Sequence, residues 1–229
     1  RDLLIARVLN CPGCDLADAD LKRANLAGAQ LAGANLAGAN LHEADLSNAD
    51  LSGANLDGAN INHAILRQAN LVGASLENVM LYETRLDGAD LTGAKMSGAL
   101  AGMAHFPRAK LVDVVLIDGD LRAARINDAN LSGADLRGTW FDEAQMMRTD
   151  FTDARLAQTI MWGVNLTEAR LTGADMRASD LIRANLRGAD LSGADLTEAR
   201  LTFANLADAT LTGAVLDNAQ LPGGFVRPQ

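Results

Sequence analysis

The sequence predicts an all-β solenoid wound from five-residue units, on three observations. A large apolar residue, nearly always Leu, recurs at every fifth position from Leu16 to Leu221 without a slip in register. Two residues before each of these centres the chain nearly always has a small residue, mostly Ala, and directly before the centre usually stands Asn, Asp or another polar residue. A period of five fits neither the 3.6 of a helix nor the 2 of a strand, so the chain must bend within every unit.

Each unit is then a short extended piece closed by a tight turn. The centre and the small residue point inward, the other three residues face water, and backbone groups pair with neighbouring coils about 4.8 Å away. Composition agrees with such a core: the 229 residues are 48% hydrophobic but only 3% aromatic, so the interior is filled by Leu and Ala. Ala101 is the one centre that is not large, and Thr84, Gly119, Thr139, Thr149, Thr159 and Ser179 are among the departures from Ala in the small slot. No stretch approaches the roughly 18 consecutive apolar residues of a membrane span.

The A(D/N)LXX pattern, as in "LAGANLAGANLHEADLSNADLSGANLDGAN" at 31–60, resembles the pentapeptide repeat proteins over residues 14–223. The resemblance implies a right-handed quadrilateral parallel β-helix with four units to a coil. About ten coils would then stack over roughly 50 Å. It also implies a short helix over the N-terminal end.

Open stacks expose a sheet edge at each end and need caps. "RDLLIARVLN" sets Leu3, Leu4, Arg7 and Val8 at helical spacing before Asn10 and Pro12, so residues 1–13 are expected to form a helical cap on the β-helix of 14–223. In the tail, 224–229, Phe225 and Val226 suit a small lid or half of a tail-to-tail dimer contact. The chain begins at Arg1, which fits either a trimmed chain or a mature form whose signal peptide has gone.

Cys11 and Cys14 are the only cysteines. A lone CxxC reads as a local disulfide, as buried free thiols or as a redox pair. Zinc is disfavoured because no second pair exists, and the βαβ context of a thioredoxin-like site is absent. Cys14 occupies an inward slot, which favours a structural role; a disulfide would place the protein outside a reducing cytosol.

With 20 residues to a coil, residues 20 apart stack on one side. One outward column then carries Met80, Leu100, Trp140 and Ile160, interrupted by Asp120. Beside it stand Tyr82, Met103, Trp162, Ile182 and Phe203, so both tryptophans and the only tyrosine share a side. Contiguous exposed apolar surface of this kind marks binding interfaces; the alternative is packing over a locally irregular wall near "LAGMAHFPRAKLVDVV". Lower on the same side Glu43, His63 and Glu83 stack with His42 adjacent. A His between carboxylates favours its protonated form, and a solvated ladder is expected there rather than a metal site.

Catalysis finds no support: no phosphate loop, no cleft, and an interior filled by Leu. No catalytic residue, metal or cofactor is expected. Some proteins of the family that this chain resembles bind DNA gyrase or topoisomerase IV by imitating DNA, and the net charge of −9 fits that loosely. The column Asp15, Asp135, Asp175, Asp195 is broken by Lys95, Val115, Arg155 and Val215, however, and mimicry needs a dense run of negative charge. The acidic balance also argues against direct nucleic-acid binding. The expected function is a rigid scaffold that binds a protein partner or its own copy through the aromatic side. The N-terminal "CPGCDL" resembles pentapeptide proteins of the periplasm or thylakoid lumen; a cytoplasmic location is the alternative.

Overall fold

The computed structural model describes residues 8–225. Each unit makes one parallel bridge per neighbouring coil, formed by the residue just before the centre, and every bridge joins residues 20 apart. The ladder runs from Asn10↔Gln30 to Arg200↔Gln220 without a gap. Five residues per side and 20 per coil make a four-sided coil. We number the sides in chain order: face 1 holds the bridge residues from Asp20 to Gln220 in steps of 20, face 2 those from Asn25, face 3 those from Asn10 and Gln30, and face 4 those from Asp15 and Asn35.

Unit 41–45 shows why the pattern needs its residue types, because all five of its N–H groups are accounted for. Leu41 and Glu43 donate to the Asn60 and Asn62 carbonyls of the next coil, at 2.7 and 3.0 Å. Asp45 donates back to Ala24 of the previous coil at 2.9 Å, and Ala44 closes the turn onto Leu41 at 2.9 Å. That leaves the first turn residue, His42, whose N–H goes to the side-chain Oδ1 of Asn40 at 3.3 Å. The Asn or Asp before each centre is therefore a turn-forming acceptor, the Asx turn. A buried or half-buried N–H left unmet would cost about 1–3 kcal/mol.

The second turn residue, two after each centre, has positive φ, the mark of a type II turn. Glycine holds many of these positions, but Asp18, Arg23, Glu43, Met103 and Phe203 take them too. Local preference yields there to the hydrogen bonds of the coil. At Gly38, with φ +66°, an added Cβ would also run into the Asp18 carboxylate of the coil below.

Inside, the centres and small slots form one continuous core in which residues such as Leu66, Ala69 and Leu131 are wholly buried. Each buried Leu offers about 1.5–3 kcal/mol before chain entropy is charged against it. Thr84, Thr139 and Thr149 fit the small slot because their hydroxyls donate to the carbonyls of Ile61, Leu116 and Ile126 at 2.7, 2.6 and 2.9 Å. Thr159 and Ser179 do the same within their own turns, to Leu156 and Met176, both at 2.7 Å. Ala101 shares its coil with Phe106, and both are wholly buried.

Cys11 and Cys14 form a disulfide across the first turn. Of the expected N-terminal cap, Leu3, Leu4 and Arg7 lie outside the described residues, while Val8 is buried. At the other end Phe225 packs against the core, and Val226 lies outside the described residues. No helix among the described residues is long and apolar enough to cross a membrane.

Candidate interaction face

Face 1 departs from the repeat in one chemical respect. Its bridge column runs Asn60, Met80, Leu100, Asp120, Trp140, Ile160, Asp180, each joined to the next by a parallel bridge. Met80, Leu100, Trp140 and Ile160 have no side-chain oxygen, so the Asx acceptor is missing beneath four turns. Two other side chains stand in for it. The Asn62 Oδ1 accepts the N–H of Tyr82, one coil on, at 2.7 Å. The Asp142 carboxylate accepts both its own N–H and that of Trp162. The same substitution occurs on other faces, where Asp57 serves Glu77 at 2.9 Å and Asn127 serves Met147 at 2.9 Å.

These replacements keep the backbone in place while apolar side chains point to water. Leu100 is 52% exposed, Trp140 46% and Phe203 74%. Tyr82, Met103, Ile160 and Trp162 are also exposed, whereas Met80 and Ile182 are half-buried. The Tyr82 hydroxyl reaches the Met103 sulfur at 3.1 Å. With Met80, Leu100 and Arg122 these two line a shallow hollow of about 530 Å³. Trp140, Ile160, Trp162 and Ile182 form a second apolar group on the next coils. Between the groups sits one ion pair, Arg122 to Asp120 through two bonds of 2.9 and 2.7 Å. Arg122 also lies over the Trp140 ring at 5.2 Å, and Arg183 over Trp162 at 5.7 Å.

The Arg122 guanidinium holds the Asp120 carboxyl below its ordinary pKa. Asp142 goes the other way: partial burial among its neighbours pushes its carboxyl up, against the opposing effect of the two N–H donors. Below the hollow, His63 meets Tyr82 edge-on at 5.7 Å and His42 edge-on at 5.4 Å. His42 pairs with Glu43 at 3.0 Å and His63 with Glu83 at 3.4 Å. Glu43 also takes a bond from Arg23 at 2.5 Å, which holds its carboxyl at about 2. Among the described residues no three His, Cys, Asp or Glu side chains converge as metal ligands.

Sequence columns therefore locate every exposed apolar residue of the face but miss Asn62 and Asp142. A signal for them exists: an Asn or Asp in the first turn position, 18 residues before a bridge position that lacks one, as Asn62 precedes Met80 and Asp142 precedes Ile160.

The family model for pentapeptide repeats matches eight copies, over residues 14–98 and 129–224. The chain belongs to the pentapeptide repeat family. Proteins of this family fold as right-handed quadrilateral β-helices, and the 20-residue ladder described above has the coil length that shape requires. The unmatched segment, 99–128, contains Ala101 and Pro107, yet bridges cross it without interruption. Among solved structures the chain is similar to HetL of the cyanobacterium Nostoc sp. strain PCC 7120, a pentapeptide repeat protein involved in heterocyst differentiation regulation, with 30% identity, 96% of this chain and 90% of that one covered, and a TM-score of 0.46. It is also similar to trypsin-treated QnrB1, a plasmid-mediated fluoroquinolone resistance protein, with 17% identity, 92% of each chain covered and a TM-score of 0.45. A pentapeptide repeat protein of the Arabidopsis thaliana thylakoid lumen matches at 29% identity over 58% of this chain and 68% of that one, with a TM-score of 0.25. No curated protein sequence matches the chain significantly.

Proposed function

We propose that this pentapeptide repeat protein is a non-catalytic, rigid scaffold that engages a protein partner, or its own copy, through the apolar side chains of face 1. The observation that carries this reading is the exchange made in the bridge column. Met80, Leu100, Trp140 and Ile160 put four large apolar side chains into one column where the repeat most often carries Asn or Asp, and gain nothing for the core, whose inward slots lie on the opposite side of the backbone. Exposed Trp, Tyr and Met are residue types enriched at protein interfaces. Rigidity follows from the ladder, which leaves few backbone groups free to rearrange. The scaffold is read as one stack of about ten coils. The Cys11–Cys14 disulfide supports an oxidising compartment such as the periplasm or thylakoid lumen.

Mimicry of DNA toward gyrase has weaker support. Face 4 is the most acidic side, but Asp135 is tied to Arg137 and Arg155 at 2.7 and 3.2 Å, and Asp175 to Arg177 at 2.7 Å. Such pairs interrupt the continuous negative column that mimicry needs.

Affinity capture with wild type, Trp140→Ala, Trp162→Ala and, as a control on face 3, Val72→Ala tests the scaffold reading. Partners lost with both tryptophan variants and kept with the control support it. Retention of every partner by both tryptophan variants removes face 1 as the interaction surface.

A further inference from the structure

Six of the apolar residues of face 1 are spaced symmetrically about a single coil, while Met103, Ile182 and Phe203 fall opposite Glu143, Asn62 and Glu43. In the bridge column Met80 and Ile160 lie two coils either side of Asp120, Leu100 and Trp140 lie one coil either side, and the column ends in polar Asn60 and Asp180. In the next column Tyr82 and Trp162 lie two coils either side of Arg122. A twofold axis that lies in the plane of the face, crosses the coils at Asp120 and relates two antiparallel stacks would set each residue against its counterpart across the axis. Met80 then meets Ile160 of the second copy, Leu100 meets Trp140, and Tyr82 meets Trp162.

The charged residues fit the same operation. Glu83 falls opposite Gly163 and one coil from Arg183; Asp142 falls opposite Gly102 and one coil from Arg122. These two carboxylates thus each face a residue without a side chain and have a cation of the other copy beside them. On the axis Asp120 faces Asp120 and Arg122 faces Arg122 of the second copy, each carboxylate neutralised by the guanidinium of its own chain.

We propose that face 1 docks a second copy of this chain, antiparallel and face to face, about a twofold axis at the coil of Asp120 and Arg122. The proposal rests on face 1 being the interaction surface and names its occupant. A self-complementary patch is what an isologous dimer requires. The patch spans five coils, four coil spacings or roughly 19 Å, by three exposed residues, roughly 10 Å. That is small beside the roughly 800 Å² per partner of a standard interface, so the dimer belongs to the weak, concentration-dependent class.

Sedimentation equilibrium of the full chain, from low micromolar to near millimolar, tests it together with two variants. Wild type is expected to dimerise over this range. Leu100→Glu, an exposed position that leaves the core untouched, is expected to weaken the dimer by about a hundredfold or more, because the change enters a twofold interface twice. Ala123→Cys stands in the axial row and is exposed. A short bismaleimide should join two copies through it, since Cys11 and Cys14 are held in their disulfide; Ala207→Cys, on face 2, should not be joined. A wild type that stays monomeric, or one that dimerises without linkage through Ala123→Cys, as a dimer through the C-terminal coil would, overturns the proposal. If the chain is monomeric while the tryptophan variants still lose a protein partner, the scaffold reading stands and only the second copy is lost. If partners are also retained, both fall.

Discussion

Coil 101–120 offers the sharpest test of how the interior is filled. Ala101 stands where the repeat calls for Leu, and Phe106 stands at the next centre round the same coil; both are wholly buried. In the same coil a δ-methyl of Leu116 occupies the space a Cβ at Gly119 would take, so side chains from neighbouring sides lean into the room that small residues leave. Ala101→Leu alone inserts three carbons beside Phe106, and overpacking of that kind costs about 1–3 kcal/mol. Phe106→Leu alone leaves a gap worth about 1 kcal/mol. If the sites were independent, the double variant would lose the sum, about 2–4 kcal/mol. Because the two changes exchange volume within one coil and restore Leu at both centres, the double variant should lie within about 1 kcal/mol of wild type, a coupling well above the ~0.5 kcal/mol scatter of independent sites. Urea unfolding followed by far-UV circular dichroism reads the three differences, provided the slope with urea is unchanged among them. In thermal melts each kcal/mol should appear as a shift of about 2–4 °C. An additive double variant would refute the compensation and show Ala101 to be a plain packing defect.

Gly38→Ala should destabilise by about 1 kcal/mol from positive φ, since the exposed Asp18 carboxylate that an added Cβ would meet can swing aside; differential scanning calorimetry reads the loss. The raised pKa of Asp142 means that its ionised form is disfavoured in the folded chain, so its cost is absent below the unfolded carboxylate pKa near 4 and present above the raised folded value. Asp142→Asn keeps an acceptor for the Trp162 N–H and should therefore raise stability at pH 7 but not at pH 3; equal effects at both would contradict the assignment. Glu43 has the opposite sign: its depressed pKa contributes stability that is complete above the unfolded value and is lost as pH falls through about 2. Its carboxyl resonance should titrate near there and return toward 4.3 in Arg23→Ala. Reduction of Cys11–Cys14 opens only a short loop, worth about 2 kcal/mol on chain entropy, so faster amide exchange should be confined to the first coil and leave the coil of Leu131 protected.

Period, inward slots and the side on which each residue stands were legible in the sequence, because a five-residue register that never slips carries that information in the numbering. The numbering alone assigns Trp140, Trp162 and Tyr82 to one side. The role of the Asn or Asp before each centre was not legible, since it is a hydrogen bond to the N–H two residues on and shows only when the other four N–H groups are counted. Asn62 and Asp142 were missed for the same reason: each serves a turn in the next coil, a neighbour in space but 20 residues away in the chain.

The repeat by itself determined the solenoid, its core and its columns, because burying one large and one small residue in every five leaves the chain few other ways to satisfy both its apolar side chains and its backbone. Tertiary structure alone decided that Glu43 turns toward Arg23 and His42, and that the turns after Met80 and Ile160 are held by acceptors borrowed from the coil before. Those outcomes depend on contacts between coils, whose free energies come from distance, burial and donor geometry that a linear pattern does not contain.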